Sequence, residues 1–229
     1  EENCAFDYNY NSGIGIFGAT GVVVKNNVMF RHINDGILDE GKNTKIIGNL
    51  VTMGESINAF KGLSFAYVFH GCINTLRSSG SVLTDNVMAG CAQGGLVTRG
   101  LPCDETYTWS GNEIHSAQHA IHLTGRNLDE IGCVNIKNVY AWRNFDYGLM
   151  VHAADNVKAE NLDMVECGVG MMVHGVGPSS ISHKIEADTH ASLSKSTIIA
   201  NVPLFKCNEK APQIMKFSTE KGRAWPGKK

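Results

Sequence analysis

The sequence predicts an all-β fold, a right-handed parallel β-helix of about six to seven short coils with loop insertions. The first observation is a recurrent unit. A β-branched run leads to Asn plus an apolar residue, and about nine residues later Gly opens a second apolar run. Its copies read "VVVKNNVMF…DGILDE" (22–40), "KIIGNLV" (45–51), "SVLTDNVMA…GGLVTR" (81–99), "WSGNEIH…HAIHLT" (109–124), "VNIKNVYA…YGLMVH" (134–152) and "VKAENLDM…VGMMVH" (157–174). The second is the period: Asn27 to Asn49 and Gly148 to Gly170 are both 22 residues, a length that several very short strands fill. The third is what the chain lacks. It has no sustained 3.6-residue periodicity, no Leu-rich signature and no Asn-Gly hairpin turns between strands.

Each element follows from stacking such coils at the spacing of paired strands, about 4.8 Å. Asn27, Asn49, Asn86, Asn112, Asn138 and Asn161 are expected at left-handed corners, with their amides paired from coil to coil. Gly36, Gly95, Gly148 and Gly170 are expected at a second corner requiring φ > 0. Alternation then points Val28, Leu50, Val87, Val139 and Leu162 inward, together with Ile37, Leu96, Ile121, Leu149 and Met171. Glu113 falls in the column of Val28 and Val87, so a one-residue slip is expected there, because an unpaired buried carboxylate costs several kcal/mol. The helix is expected over 1–202, with insertions near 56–80 and 99–109. "STIIAN" (196–201) reads as one more strand, and 203–229 as an irregular C-terminal segment.

Composition narrows the function classes. Charged residues are 18% and the formal net charge is −2, which gives no electrostatic reason to expect nucleic acid or an anionic membrane as partner. No apolar run approaches the roughly 20 residues of a membrane helix, so no membrane insertion by this chain is expected. The opening "EENCAFDYNYN" has neither an initiator Met nor a signal segment, as expected of a piece of something larger. The 25 glycines and 5 prolines fit neither collagen nor a linker. Seven cysteines show no CxxC pair and no metal-ligand spacing. Cys103 and Cys133 flank irregular segments, and a disulfide between them in an oxidising compartment is expected.

Aligning the copies on their Gly places Glu40, Arg99, Thr124, His152 and His174 in one outward file. Leu38, Val97, His122, Met150 and Met172 form its neighbour. A polar stripe beside an apolar one suits an extended ligand, so Glu40, Arg99, His122, His152 and His174 are the candidate ligand-binding residues, against the plainer reading of a solvated or loop-covered face. No metal site or cofactor is expected. His115, His119 and His122 have helical spacing in a strand, and His152 with His174 lacks a third ligand. No catalytic residue is assigned. Glycoside hydrolysis needs two carboxylates about 5 to 10 Å apart, whereas Asp39 and Glu40 point opposite ways and Asp35 and Asp146 suit turns. Neither GxSxG nor HExxH occurs.

The runs "DNVMAGCAQGGLVTRGLPC" (85–103), "YTWSGNEIHSAQHAIHL" (107–123) and "AWRNFDYGLMVH" (141–152) resemble the extracellular β-helix region of the fibrocystin and fibrocystin-L family. The likeness is strongest over about 80–175, and the divergent loops favour the fibrocystin-L branch. The resemblance implies a very large single-pass receptor-like protein of the cell surface, with immunoglobulin-like and G8 domains beside the β-helix. It also implies a place at the surface of cilia or stereocilia, a link to hearing and an oxidising compartment. Neighbouring ectodomain modules, another cell-surface protein or a glycan are the partners it implies. The family looks related to cell-surface hyaluronidases, but no catalytic residue carries over by a matching motif.

Overall fold

In the computed structural model, residues 1–55, 70–103, 109–124, 133–152, 156–174 and 190–200 are described. The segment 203–229 and most of the expected insertion at 56–80 lie outside them. The described chain is a β-solenoid of about six turns, and three walls carry it. The first wall stacks Ala5–Asn9, Val28–His32, Leu50–Thr52, Val87–Ala89, Asn112–His115, Cys133–Trp142, Asn156–Cys167 and His190–Ser194, with Thr197–Ala200 also paired to Asn156–Cys167. The second stacks Ile14–Thr20, Ile37–Lys42, Gly71–Asn74, Gly94–Thr98, His119–Thr124, Tyr147–His152 and Val169–His174. The third holds Val23–Lys25, Lys45–Ile47 and Val82–Thr84. Pairing within the walls is parallel; the two-residue strand Leu101–Pro102 runs antiparallel against the first wall. Gly71–Asn74 is a rung of the second wall, and Trp109 is a buried core residue whose Nε1–H donates to the Ser81 carbonyl at 3.0 Å.

The core lies between the walls. Ile14, Ile37, Ile73, Leu96, Ile121 and Leu149 form one buried column, continued by the partly buried Met171, as alternation predicts. The opposing column is one residue from expectation. Met29, Val51, Met88, Ile114, Ala141 and Met164 point inward, whereas Val28 and Leu50 are 41% and 37% exposed and Val87 is half-buried. Glu113 pairs in register with Val87 and Tyr140. The column it joins faces outward, so no carboxylate is buried and no slip occurs there; Glu113 Oε1 accepts from Trp142 Nε1 at 2.7 Å.

The same one-residue error explains the corners. The left-handed residues are Asn26, Gly48, Asp85 and Gly111, followed by Asn138 and Asn161. Asn27, Asn49, Asn86 and Asn112 sit one residue later and are buried. The slip comes a coil after Glu113: Asn112 pairs with Val139, and Val139 with Leu162, both buried and apolar as expected. On those coils Asn138 and Asn161 keep the left-handed turn, but pairing runs on either side of it, so the chain forms the long strands Cys133–Trp142 and Asn156–Cys167.

The four buried asparagines form a ladder. Asn49 Oδ1 accepts from both the Asn27 backbone N–H at 3.0 Å and Asn27 Nδ2 at 3.1 Å. Asn86 Oδ1 does the same for Asn49, and Asn112 Oδ1 for Asn86. Each spare amide hydrogen of Asn49, Asn86 and Asn112 goes to a carbonyl, of Val24, Ile46 and Leu83 respectively. A corner that turns a chain inside a core strands backbone donors, and the amide is the side chain that satisfies them reciprocally.

Gly36, Gly95, Gly148 and Gly170 do not have positive φ. They are glycine because the opposite column leaves no room: a Cβ would strike Val51 Cγ1, Ile114 Cγ2, Met164 Sδ and Ile198 Cγ2 in turn. By the same offset Ala120 comes opposite Ala141, the smallest residue of that column, which is where a Cβ fits. Gly36→Ala also meets the Cys72 carbonyl at 2.7 Å, an atom that cannot rotate away. It is expected to destabilise by about 1–3 kcal/mol. Urea unfolding should show a lower midpoint with unchanged m; an unshifted midpoint would mean the walls have slack.

Candidate functional site

The second wall brings the histidines together, though not in the predicted pairing alone. His152 and His174 are register partners, as are Thr124 and His152. Around His152 the ring contacts run inward along the wall. His122 lies edge-on to His152 at 6.1 Å between centroids, and His119 stacks near His122 at 5.9 Å. His119 meets the edge of Tyr147 at 5.1 Å, and its Nε2 is 3.7 Å from Asp146 Oδ2. Gln118 Nε2 donates to the same carboxylate at 3.0 Å. The expected exposed stripe is therefore corrected at its centre: Val97 and His122 are buried, as is Thr124 in the polar file, while Leu38, Met150, Met172, Arg99 and His152 are half-buried. Alternation fixed the direction of these side chains, but not what would cover them.

Glu40 does not join this group. It pairs with Arg77 at 3.0 Å, three rungs away from His122, or about 14 Å at the strand spacing. Sequence reasoning missed His119, Asp146 and Tyr147. The signal available for them was the register itself, since His119 and Tyr147 begin neighbouring rungs.

The electrostatics of the cluster are set by burial. His122 is lowered to about 3, first because burial disfavours its charge and then because His119 and His152 repel it. Burial by itself would raise the Asp146 carboxyl, but hydrogen bonds from His119 and Gln118 outweigh it and hold the group below its ordinary value. At neutral pH the face thus carries a neutral buried imidazole and an ionised carboxylate. It can donate and accept hydrogen bonds to a neutral polar ligand. Asp146 has no proton to deliver to a leaving group.

No protein-family model matches the chain, and no solved structure matches it. Fibrocystin-L of Mus musculus is 30% identical over 213 residues, 90% of this chain; fibrocystin-L of Homo sapiens is 28% identical over the same share. Fibrocystin of Canis lupus familiaris is 30% identical over 199 residues, 86% of this chain.

The chain is a homologue of the fibrocystins.

Fibrocystin-L leads among these relatives. The chain spans 5% of their length, so it corresponds to one small part of each of them. In this fibrocystin homologue two disulfides tie coils together among the described residues. Cys103 is joined to Cys133, and Cys72 to Cys91, a bridge that the sequence pattern did not indicate. Cys72 stands in the glycine file between Gly36 and Gly95, and Cys91 at the corner after Val87–Ala89, so only the folded register brings them together. Two disulfides are in keeping with an oxidising compartment.

Proposed function

We propose that this fibrocystin homologue is a non-catalytic structural or adhesive β-helix module. In this reading it belongs to the extracellular part of a large single-pass, receptor-like cell-surface protein and stands in the surface coat of cilia or stereocilia, with a role in hearing. Neighbouring ectodomain modules are its first partners, and the face of Arg99, His122, His152 and His174 is where another cell-surface protein or a glycan would lie. Glu40, paired to Arg77, marks a separate end of that wall.

The observation that carries this reading is how the acids are employed. Asp39 is buried and accepts from the Gly41 N–H, Thr44 Oγ1 and Ser81 Oγ. Asp35 is buried and accepts from the Gly71 N–H and Asn74 Nδ2, with His70 Nδ1 at 3.1 Å. Glu113, Glu40 and Asp146 are held by Trp142, Arg77 and Gln118. Each of these carboxylates closes a corner or ties neighbouring coils through the partners named, which are structural roles.

The alternative, a hyaluronidase-like or glycan-binding β-helix, draws on the histidine cluster beside Arg99. Incubation with hyaluronan at neutral and mildly acidic pH, with and without calcium, separates the two. Unchanged chain length is expected. Shortening that disappears in Arg99→Ala or His152→Ala would replace the structural reading with a catalytic one.

A further inference from the structure

His32 is wholly buried, and neither ring nitrogen makes a well-formed hydrogen bond, the Asn34 backbone being the polar group that approaches it. Burying poorly satisfied polar atoms is costly, and a ring so placed is explained by a bound water or ion or by a redox role. The imidazole ends the strand Val28–His32 and reaches over Gly54, the next residue of its file. A Cβ on Gly54 would meet His32 Nε2 at 2.9 Å and Cys91 Sγ at 3.2 Å. The missing side chain of one coil is what lets a histidine from the coil before it approach a cysteine from the coil after it. One ligand atom each of His32, Cys72 and Cys91 lies within 4.8 Å of the others, and all three residues are buried.

We infer that His32, Cys72 and Cys91 form a redox-gated site for a thiophilic divalent cation such as zinc, closed while the disulfide stands and opened by its reduction. A dithiol reductant transfers two electrons to the Cys72–Cys91 bond and becomes a disulfide itself, leaving two thiols. The cation then takes both sulfurs as thiolates and one imidazole nitrogen, and two protons leave to solvent. Dication plus two thiolates is neutral, which suits a site shut off from water. A tetrahedral zinc sets such ligands about 3.5 to 3.8 Å apart, so side-chain shifts of about 1 Å suffice. Cys91 also lines a shallow dent with Asn34, Glu55, His70 and Gln93 that has no room for a water molecule as it stands, so entry of the ion and of a fourth ligand requires that dent to open. The ligands come from three coils, so no Cys-His spacing in the sequence could announce them.

The test uses the whole chain, reduced with a phosphine and titrated with Co²⁺ as the spectroscopic probe. One equivalent with a sulfur-to-cobalt charge-transfer band is expected. That band should be lost in Cys72→Ser/Cys91→Ser, kept in Cys103→Ser/Cys133→Ser, and formed with at least tenfold weaker affinity in His32→Gln. The unmodified chain gives a second reading that needs no variant: Zn²⁺ should slow alkylation of Cys72 and Cys91 at least tenfold, with Cys103 and Cys133 unaffected. A band independent of the Cys72/Cys91 pair, undiminished affinity in His32→Gln, or alkylation rates insensitive to zinc would overturn the site.

Discussion

Asn49→Ala is expected to lower the stability of the solenoid by about 3–5 kcal/mol, the largest single-residue effect in the described chain. The Asn49 amide accepts two hydrogen bonds from Asn27 and donates to Val24 O and Asn86 Oδ1. Truncation strands the Asn27 N–H and Nδ2 and the Val24 carbonyl inside the protein, and each buried orphan costs about 1–3 kcal/mol. Asn49→Leu should be no better, because it restores volume without donors or acceptors. The contrast lies farther along the file, where Val139 and Leu162 occupy the same position on coils whose corner residues are themselves asparagines, the Asn161 amide donating to Asn138 Oδ1. Chemical denaturation of the two Asn49 variants checks this; losses below about 1 kcal/mol would mean the ladder is ornamental.

Mild acid should destabilise the fold well above the range in which carboxylates titrate. His122 is lowered to about 3 from an ordinary 6.5, by burial and by the charges of His119 and His152. Burial lowers His32 as well. At pH 8 both states leave these rings neutral and the shift contributes nothing. Below 6.5 the unfolded chain takes up a proton that the folded chain refuses until about pH 3. Stability is thus lost as pH falls through that window, by about 1.4 kcal/mol per pH unit for each fully refused proton. His122 alone accounts for a loss on the order of 5 kcal/mol across it. Urea midpoints between pH 8 and pH 5 should fall steadily, and His122→Gln should flatten the slope. A flat wild-type profile over that interval would show that the buried rings accept protons in the folded state.

Much of the architecture was legible because stacking writes a period into the sequence. The column from Ile37 to Met171 and the pairing of His152 with His174 follow from aligning Gly148 with Gly170. What misled was chemical degeneracy at single positions. In "VVVKNNVMF" both Asn26 and Asn27 suit a corner, and only the backbone shows that Asn26 takes φ 54° while Asn27 turns inward. Choosing Asn27 as the corner moved Val28 from the outside to the inside. Glycine is ambiguous in the same way, since it answers both positive φ and close approach, and Gly36 is there for the second reason. The candidate site was legible only as a direction: alternation put His122 on the outer side of its strand, but its burial depends on what lies over that wall. The convergence of His32, Cys72 and Cys91 was not legible at all, because it joins three coils of unequal length.

Amide hydrogen exchange at Asn27, Asn49 and Asn86 tests most directly the claim that polar side chains here lock the coils into one rigid unit. Each of these N–H groups donates to the Oδ1 of the asparagine on the next coil. All three are predicted to exchange with the same free energy, equal to that of global unfolding, and to lose protection together in Asn49→Ala. Exchange of any one of them through a much cheaper local opening, with the other two unchanged, would contradict it.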